Sequence, residues 1–516
     1  MKSFKKVYFK YLIISLAIAI SFPLIAQVNL HSDIQLIRNQ GFENSSLREM
    51  AIQLTDGIGP RLTGSQGFTK SIEWAVETLK NMGINTARLE PWGDFGNGWQ
   101  MEKFYAAMTK PYYQPVIAVP RAWTGSTNGL VKAEVVLIVA SSIDDLENYK
   151  GKLKDKIVIT PYDEDLEVSF EPSAKRFSED ELLKYGEIVE IKPDPDLFIS
   201  SRNALKKKSQ NSLTAYDLID FCHSEGAIAL LDKSGSYGTV VGIGDRNGRF
   251  LDELGLPIID ITHEHYARMV RLIDRGIGVE MEIEVLNTLI KDNSIGYNVF
   301  AEIIGSDKTL KDEIVMFGAH IDSWHAGTGG NDNGSGVIVM MEVMRIIKES
   351  GLKPKRTIRL ALWGGEEQGL LGSRNWANSN LFDLENNKKK HEFSKISAYY
   401  NFDYGTGRIR GIFLNNNLAL KPIFEDFFRP LDDLGVRHTS MRSPGGSDHI
   451  TFNRIGIPGF AFIQDRIDYG RSYHTNMDTF ERIQLGDLKQ AAVVLAALVY
   501  QTANYPEKLP RKDVVP

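Results

Sequence analysis

The chain has 516 residues, 42% of them hydrophobic and 24% charged, with a formal net charge of −6. Mild acidity gives no sign of a nucleic-acid partner, and a chain of this length can bury a large core, divided by size into two to four domains. Cys222 is the sole cysteine, so no intramolecular disulfide can form and stability must come from burial.

The chain opens with MKSFKKVYFK, in which Lys2, Lys5, Lys6 and Lys10 precede the uncharged run YLIISLAIAISFPLIA ending at Ala26. A basic start followed by an apolar stretch and a small exit residue predicts a secretory signal peptide over residues 1–26. The apolar run is also near the lower length for a retained anchor, but Pro23 and the Ala26–Gln27 junction favour cleavage, and no cysteine follows to take a lipid. The expectation is a secreted, periplasmic or extracellular protein with no stable membrane anchor. Its mature charge would be −10, because four lysines and no acidic residue leave with the signal.

Residues 45–56 and 65–82 read as helices, the second stopped by Gly83, where a positive φ would end it. An extended TARLEPW follows. From residue 129 the texture changes to short β-rich runs: AEVVLIVA (133–140), KIVIT (156–160), AIALLDK (227–233), PIIDIT (257–262) and VEMEIEVL (279–286). This predicts an α/β module over 129–290 inserted in a main domain formed by 27–128 and 291–516. A charged excursion at 162–212 interrupts it, helical around SEDELLKYGEIV. After residue 294, apolar strands (YNVFAEII, EIVMFGAHID, TIRLALWGGEE, AYYNFDYG, PGFAFIQ) alternate with amphipathic helices. That order predicts an α/β fold with a mainly parallel sheet covered on both faces, whose ligands sit at the carboxyl ends of the strands.

Polar residues gather at those strand exits. His320 and Asp322 leave EIVMFGAHID two residues apart, pointing the same way on extended chain, so the carboxylate could accept the imidazole's second N–H. Asp332 lies in the glycine-dense loop GTGGNDNGSG before an apolar helix, where it could be only a turn or an N-cap. Glu366 and Glu367 leave TIRLALWGGEE side by side. Adjacent residues point differently, so one carboxylate could bind a metal while the other faces a substrate. Asp403 stands among aromatic residues in AYYNFDYG, where a lone buried carboxylate is costly unless paired or ligating. His474 lies in the polar loop GRSYHTNMDTF. Singly, each has an ordinary reading. Together, two imidazoles and three carboxylates without a thiolate suit zinc. Two divalent cations, three carboxylates and one hydroxide sum to near zero charge, which lets such a cluster be buried.

HID, GGNDNGSG, WGGEEQGLLGS, NFD and YHTNMDT resemble, in order and context, the secreted dizinc aminopeptidase and carboxypeptidase Q-like metallopeptidase family, over roughly residues 40–125 and 294–505. The inserted module resembles, more weakly, the protease-associated (PA) domain. The resemblance implies two zinc ions, with His320 and Asp403 on one, Glu367 and His474 on the other and Asp332 bridging. It further implies that Asp322 orients His320, that Glu366 is the general base, and that the Asp332–Asn333 peptide is cis. One departure is the segment RSPGGSDHITF, where Pro444, Gly445 and Gly446 stand where a tyrosine often precedes SDH. An oxyanion donor must then be sought elsewhere, Tyr473 and His449 being candidates, while His325 is extra and reads as cleft wall.

The implied activity is hydrolysis of N-terminal peptide bonds of peptides or dipeptides. Glutaminyl cyclisation on the same fold uses a single zinc, against the full ligand set here, and a non-catalytic receptor-like ectodomain would not retain every ligand and both acids. An acidic cleft containing Glu366, Asp322 and Asp448 suits the substrate's α-ammonium, whereas Arg442 and Arg471 are the nearest cations for a C-terminal carboxylate. A homodimer is compatible with the resemblance.

Overall fold

A computed structural model describes residues 31–162, 170–187, 213–234, 238–292 and 294–512. The expected signal peptide at 1–26, and residues 163–169 and 188–212 of the charged excursion, lie outside the described residues. Among the described residues no helix is long and apolar enough to cross a membrane.

The chain is α/β, built on two eight-stranded sheets and a small two-stranded ribbon. The first sheet runs, edge to edge, Arg88–Asp94, Ile295–Ile303, Thr357–Trp363, Ile314–His320, Ile396–Asn401, Gly459–Gln464, Ile409–Phe413 and His438–Ser440. Its four central strands, from Thr357–Trp363 to Gly459–Gln464, are parallel. Burial on both faces explains their unbroken apolar runs. Along Ile314–His320 successive side chains alternate between two cores: Val315, Phe317 and Ala319 join the helices Ser335–Glu349 and Leu485–Asn504, while Ile314 and Met316 join Trp363, Trp376 and Phe452 on the other face. Phe317 is fully buried, and truncating it to alanine should cost about 3–5 kcal/mol.

The helix expected at 65–82 spans Gln66–Asn81. The Ser65 hydroxyl accepts from the Phe68 N–H at its start, and Gly83 follows its end at φ +78°. The sheet changes direction at Ile314–His320: the next strand in sequence, Thr357–Trp363, pairs on one side of it and Ile396–Asn401 on the other. Crevices at such reversals, beyond the carboxyl ends of the strands, hold ligands in open α/β sheets. His320, Glu366, Glu367 and Asp403 all leave these three strands there.

The second sheet runs Gln114–Pro115, Gly98–Lys110, Glu280–Ile290, Val131–Leu137, Ile157–Ile159, Ala229–Ser234, Ile258–Thr262 and Ala118–Pro120. It therefore draws in residues 98–120, which texture assigned to the main domain. The strand Gly98–Lys110 pairs antiparallel with Glu280–Ile290 from Gly98↔Ile290 to Lys110↔Glu280, with register shifts at Met101/Lys103 and Met108/Lys110. Those shifts break its alternation, so Trp99, Phe104 and Tyr105, strand formers by type, do not stand out as one period-2 run. Within the excursion, the helix near SEDELLKYGEIV spans Glu179–Gly186 and starts with a capping box between Ser178 and Glu181.

Candidate metal centre

His320 ends its strand with its ring buried. Nε2 lies 3.1 Å from Asp403 Oδ1 and 3.2 Å from Asp332 Oδ1. His474 faces it across Asp332, with Nε2 at 3.2 Å from Asp332 Oδ2 and 2.9 Å from Glu367 Oε2. Asp332 thus stands between the two imidazoles, and all five residues expected as ligands meet at one spot. Ligand atoms of His320, Asp332 and Glu367 lie within 4.8 Å of one another. The Asp332–Asn333 peptide is cis.

The cluster leaves polar atoms without hydrogen bonds. Asp332 Oδ2 and Glu367 Oε1 are buried and have no hydrogen-bond partner, although His474 Nε2 stands near the former, out of alignment for a hydrogen bond. A buried carboxylate oxygen left so costs several kcal/mol in the absence of a cation. The charges agree. Burial alone would lower both imidazoles, yet Asp403 and Glu366 raise His320 well above its ordinary value, and Glu367 and Asp332 push His474 up to about 10. Burial, reinforced by Asp332, pushes Glu367 up to about 7. Carboxylates in such excess over protein cations call for added positive charge, and two imidazoles with three carboxylates form a donor set suited to zinc. The residues fit the metal that the resemblance implies.

Glu366 is buried, and its carboxyl is raised well above the carboxylate range by burial and by Asp403, Asp448 and Glu367, with His320 opposing. Asp322 differs from expectation. His320 Nδ1 is 3.0 Å from the Asp322 backbone carbonyl and 3.6 Å from its carboxylate, so the main-chain oxygen fixes the ring. The carboxylate instead accepts the Glu366 and Glu367 N–H groups at 3.3 and 3.2 Å and the Thr63 hydroxyl at 3.0 Å. Asp322 thereby sets the turn that aims the two glutamates apart.

Of the other candidates, Tyr473 stacks on His474 at 3.6 Å and is 46% exposed. His449 is fully buried, with Nε2 2.9 Å from the Pro444 carbonyl, which keeps it from a substrate. His325 lies outside the ligand cluster: Nε2 is 2.7 Å from the Pro120 carbonyl and the ring packs on Trp99. Arg442 lies over the Tyr185 ring, 4.7 Å from its centroid, and Arg471 is exposed.

Two supports went unread in the sequence. Asp478 accepts the N–H groups of Asn331 and Asp332, steering the loop that presents Asp332. The only signal was its place four residues after His474. Thr63 accepts the Gly365 N–H at 3.1 Å. Asp448, expected as an acid of the cleft, is fully buried, with neither carboxylate oxygen hydrogen-bonded.

Residues 298–499 match the sequence model of peptidase family M28. Carboxypeptidase Q of Homo sapiens is 26% identical over 477 residues, covering 91% of this chain and 87% of that protein. The Mus musculus protein is 26% identical over 479 residues, covering 91% and 88%. The structure of a peptidase M28 precursor from Shewanella amazonensis SB2B superimposes with a TM-score of 0.64 at 25% identity, covering 94% of this chain and 99% of that one. An aminopeptidase from Aneurinibacillus sp. strain AM-1 shares the fold, with a TM-score of 0.52 at 19% identity over 93% of this chain and 98% of that one. The chain therefore carries a peptidase family M28 domain over residues 298–499 and is homologous to carboxypeptidase Q over 91% of its length.

Proposed function

We propose that the protein is a secreted zinc exopeptidase that hydrolyses the N-terminal peptide bond of peptides or dipeptides. The observation that carries this reading is the buried meeting of His320, Asp332 and Glu367, with Asp332 Oδ2 and Glu367 Oε1 lacking hydrogen-bond partners. His320 and Asp403 would hold one zinc ion, Glu367 and His474 a second, and Asp332 would bridge them. When bound, the ions would polarise the scissile carbonyl and make water a stronger acid near neutral pH.

Glu366 takes the proton of the attacking water as its oxygen bonds to the carbonyl carbon. The C–N bond then breaks, and Glu366 returns that proton to the leaving amine nitrogen. Its raised affinity for a proton, caused by burial and the surrounding carboxylates, suits a group that must hold the proton between the two steps. Asp322 positions Glu366 and Glu367 through their N–H groups. Tyr473, stacked on His474 and 46% exposed, would donate its hydroxyl to the oxyanion. Residues 1–26 act as the export signal, and residues 129–290 form a PA-like insert.

The test is a dipeptide panel with free and blocked termini on the purified mature chain. Acetylating the amine should remove activity, and amidating the carboxylate should reduce it only modestly, because Glu366 is an acid beside the expected ligands and no arginine named above reaches them. Equal cleavage of acetylated and free dipeptides would overturn the amine-anchored reading.

A further inference from the structure

The excursion sends a strap, residues 170–187, across the catalytic sheet. Lys175 and Ile467 exchange backbone hydrogen bonds of 3.0 and 2.9 Å. The Phe177 N–H donates to Asp465 Oδ1 at 3.0 Å, and Arg176 reaches Asp465 Oδ2 at 3.1 Å and Asp487 Oδ2 at 2.5 Å. Arg410 ties Glu179 at 3.0 Å. Asp465 is wholly buried, so these contacts are structural anchors and not passing surface pairs.

What the strap encloses is a cavity of about 260 Å³. Phe177 and Tyr185 of the strap face Tyr404, Phe413 and Ile463 of the catalytic domain around it, with the exposed Arg466 also lining it. Phe177 packs on Tyr185 at 5.3 Å between ring centroids and Tyr185 on Phe413 at 6.0 Å. Tyr404 directly follows Asp403, and its hydroxyl donates to the Gly445 carbonyl at 2.9 Å. The cavity wall is thus joined to the strand exit that carries Asp403, and the charges of Asp403 and Glu366 act on Tyr404. Sheet residues alone would leave it an open shelf; the strap supplies its outer wall.

We infer that the strap residues Phe177 and Tyr185 determine substrate specificity, closing a pocket that takes a large apolar or aromatic side chain of the substrate's N-terminal residue. The inference rests on the proposed exopeptidase reading. The amine leaves toward Glu366, which protonates it, so the residue supplying the carbonyl lies on the side of the metal ligands, where Tyr404 continues from Asp403. Four aromatic rings and Ile463 give the pocket apolar walls suited to a side chain of that kind. Arg442, stacked on Tyr185, is a brace for this wall and is drawn away from any role as a carboxylate anchor.

Aminoacyl amides isolate this pocket, since they carry no second side chain. The zinc-loaded full chain is assayed on leucyl, phenylalanyl, alanyl and glutamyl amides, alongside Phe177→Ala and Tyr185→Ala. Wild type should prefer leucyl and phenylalanyl over alanyl amide. Each variant should lose about tenfold in kcat/KM on the large residues with little change on alanyl amide, at unchanged zinc content. Phe177→Leu, which keeps an apolar wall, should retain most of the preference and exposes any loss due to folding alone. Active wild type whose preference survives both alanine variants, or equal losses on every amide, would overturn the strap's role while leaving the exopeptidase reading intact. A preference for glutamyl amide would overturn it in favour of Arg466. Wild type inactive on all four amides and on free dipeptides would overturn the exopeptidase reading and this inference with it.

Discussion

The two sheets handle buried charge in opposite ways. In the second sheet Asp260 is 3% exposed and meets Arg121, whose guanidinium also lies 2.6 Å from Asp232, so the protein balances its own charge. At the carboxyl edge of the first sheet, Asp332, Glu367, Asp403 and Glu366 crowd around two imidazoles, and Asp332 Oδ2 and Glu367 Oε1 have no hydrogen-bond partner. A buried acid already matched by arginine is architecture, whereas buried acids in excess call for a cation from outside. The contrast separates structural from functional charge without reference to any relative.

Removing metal should break the comparison most sharply. Chelation is expected to abolish peptidase activity and zinc to restore it, while the second sheet, which needs no ion, keeps its structure; circular dichroism with activity assays would read both. Full activity in metal-free protein would contradict the account. Next in size, Glu366→Gln should lose about 10²–10⁴-fold in kcat with zinc retained, the range of general acid–base catalysis, whereas Glu367→Gln should lose zinc itself; kinetics and metal analysis of both variants distinguish these roles.

In the other sheet, Arg121→Ala should destabilise by about 3–5 kcal/mol, because it leaves Asp260 buried and unpaired. Denaturant unfolding should report that cost with kcat unaltered. The smallest effect concerns His325, whose ring burial pushes its pKa down from 6.5 to about 4. Below pH 6.5 the unfolded chain gains a proton at this residue that the folded chain refuses until about pH 4, so stability falls as pH falls through that window. On acidification the unfolding free energy of wild type should fall relative to that of His325→Phe by at most about 3.4 kcal/mol.

How much of this was legible in the sequence follows from where each signal resides. Apolar runs ending in polar residues disclosed the parallel sheet, and His320, Glu366, Glu367 and Asp403 stood out because each leaves such a strand. Features made by tertiary contact did not. Gly98–Lys110 hid as a strand because its register shifts twice. The acceptor for His320 proved to be the Asp322 backbone, which no side-chain pattern encodes, and Asp322's carboxylate serves N–H groups more than forty residues away. The strap looked like a charged excursion because Arg176 and Glu179 find their partners, Asp465, Asp487 and Arg410, only in the folded chain.

The central claim is that metal, and not protein, balances the buried acids at the edge of the first sheet. Zinc content of the purified wild type and of Asp332→Asn tests it most directly. The account predicts two zinc ions per wild-type chain and the loss of zinc, together with activity, when the bridging carboxylate becomes an amide. Wild type active without zinc, or Asp332→Asn with its full zinc content and full activity, would contradict it.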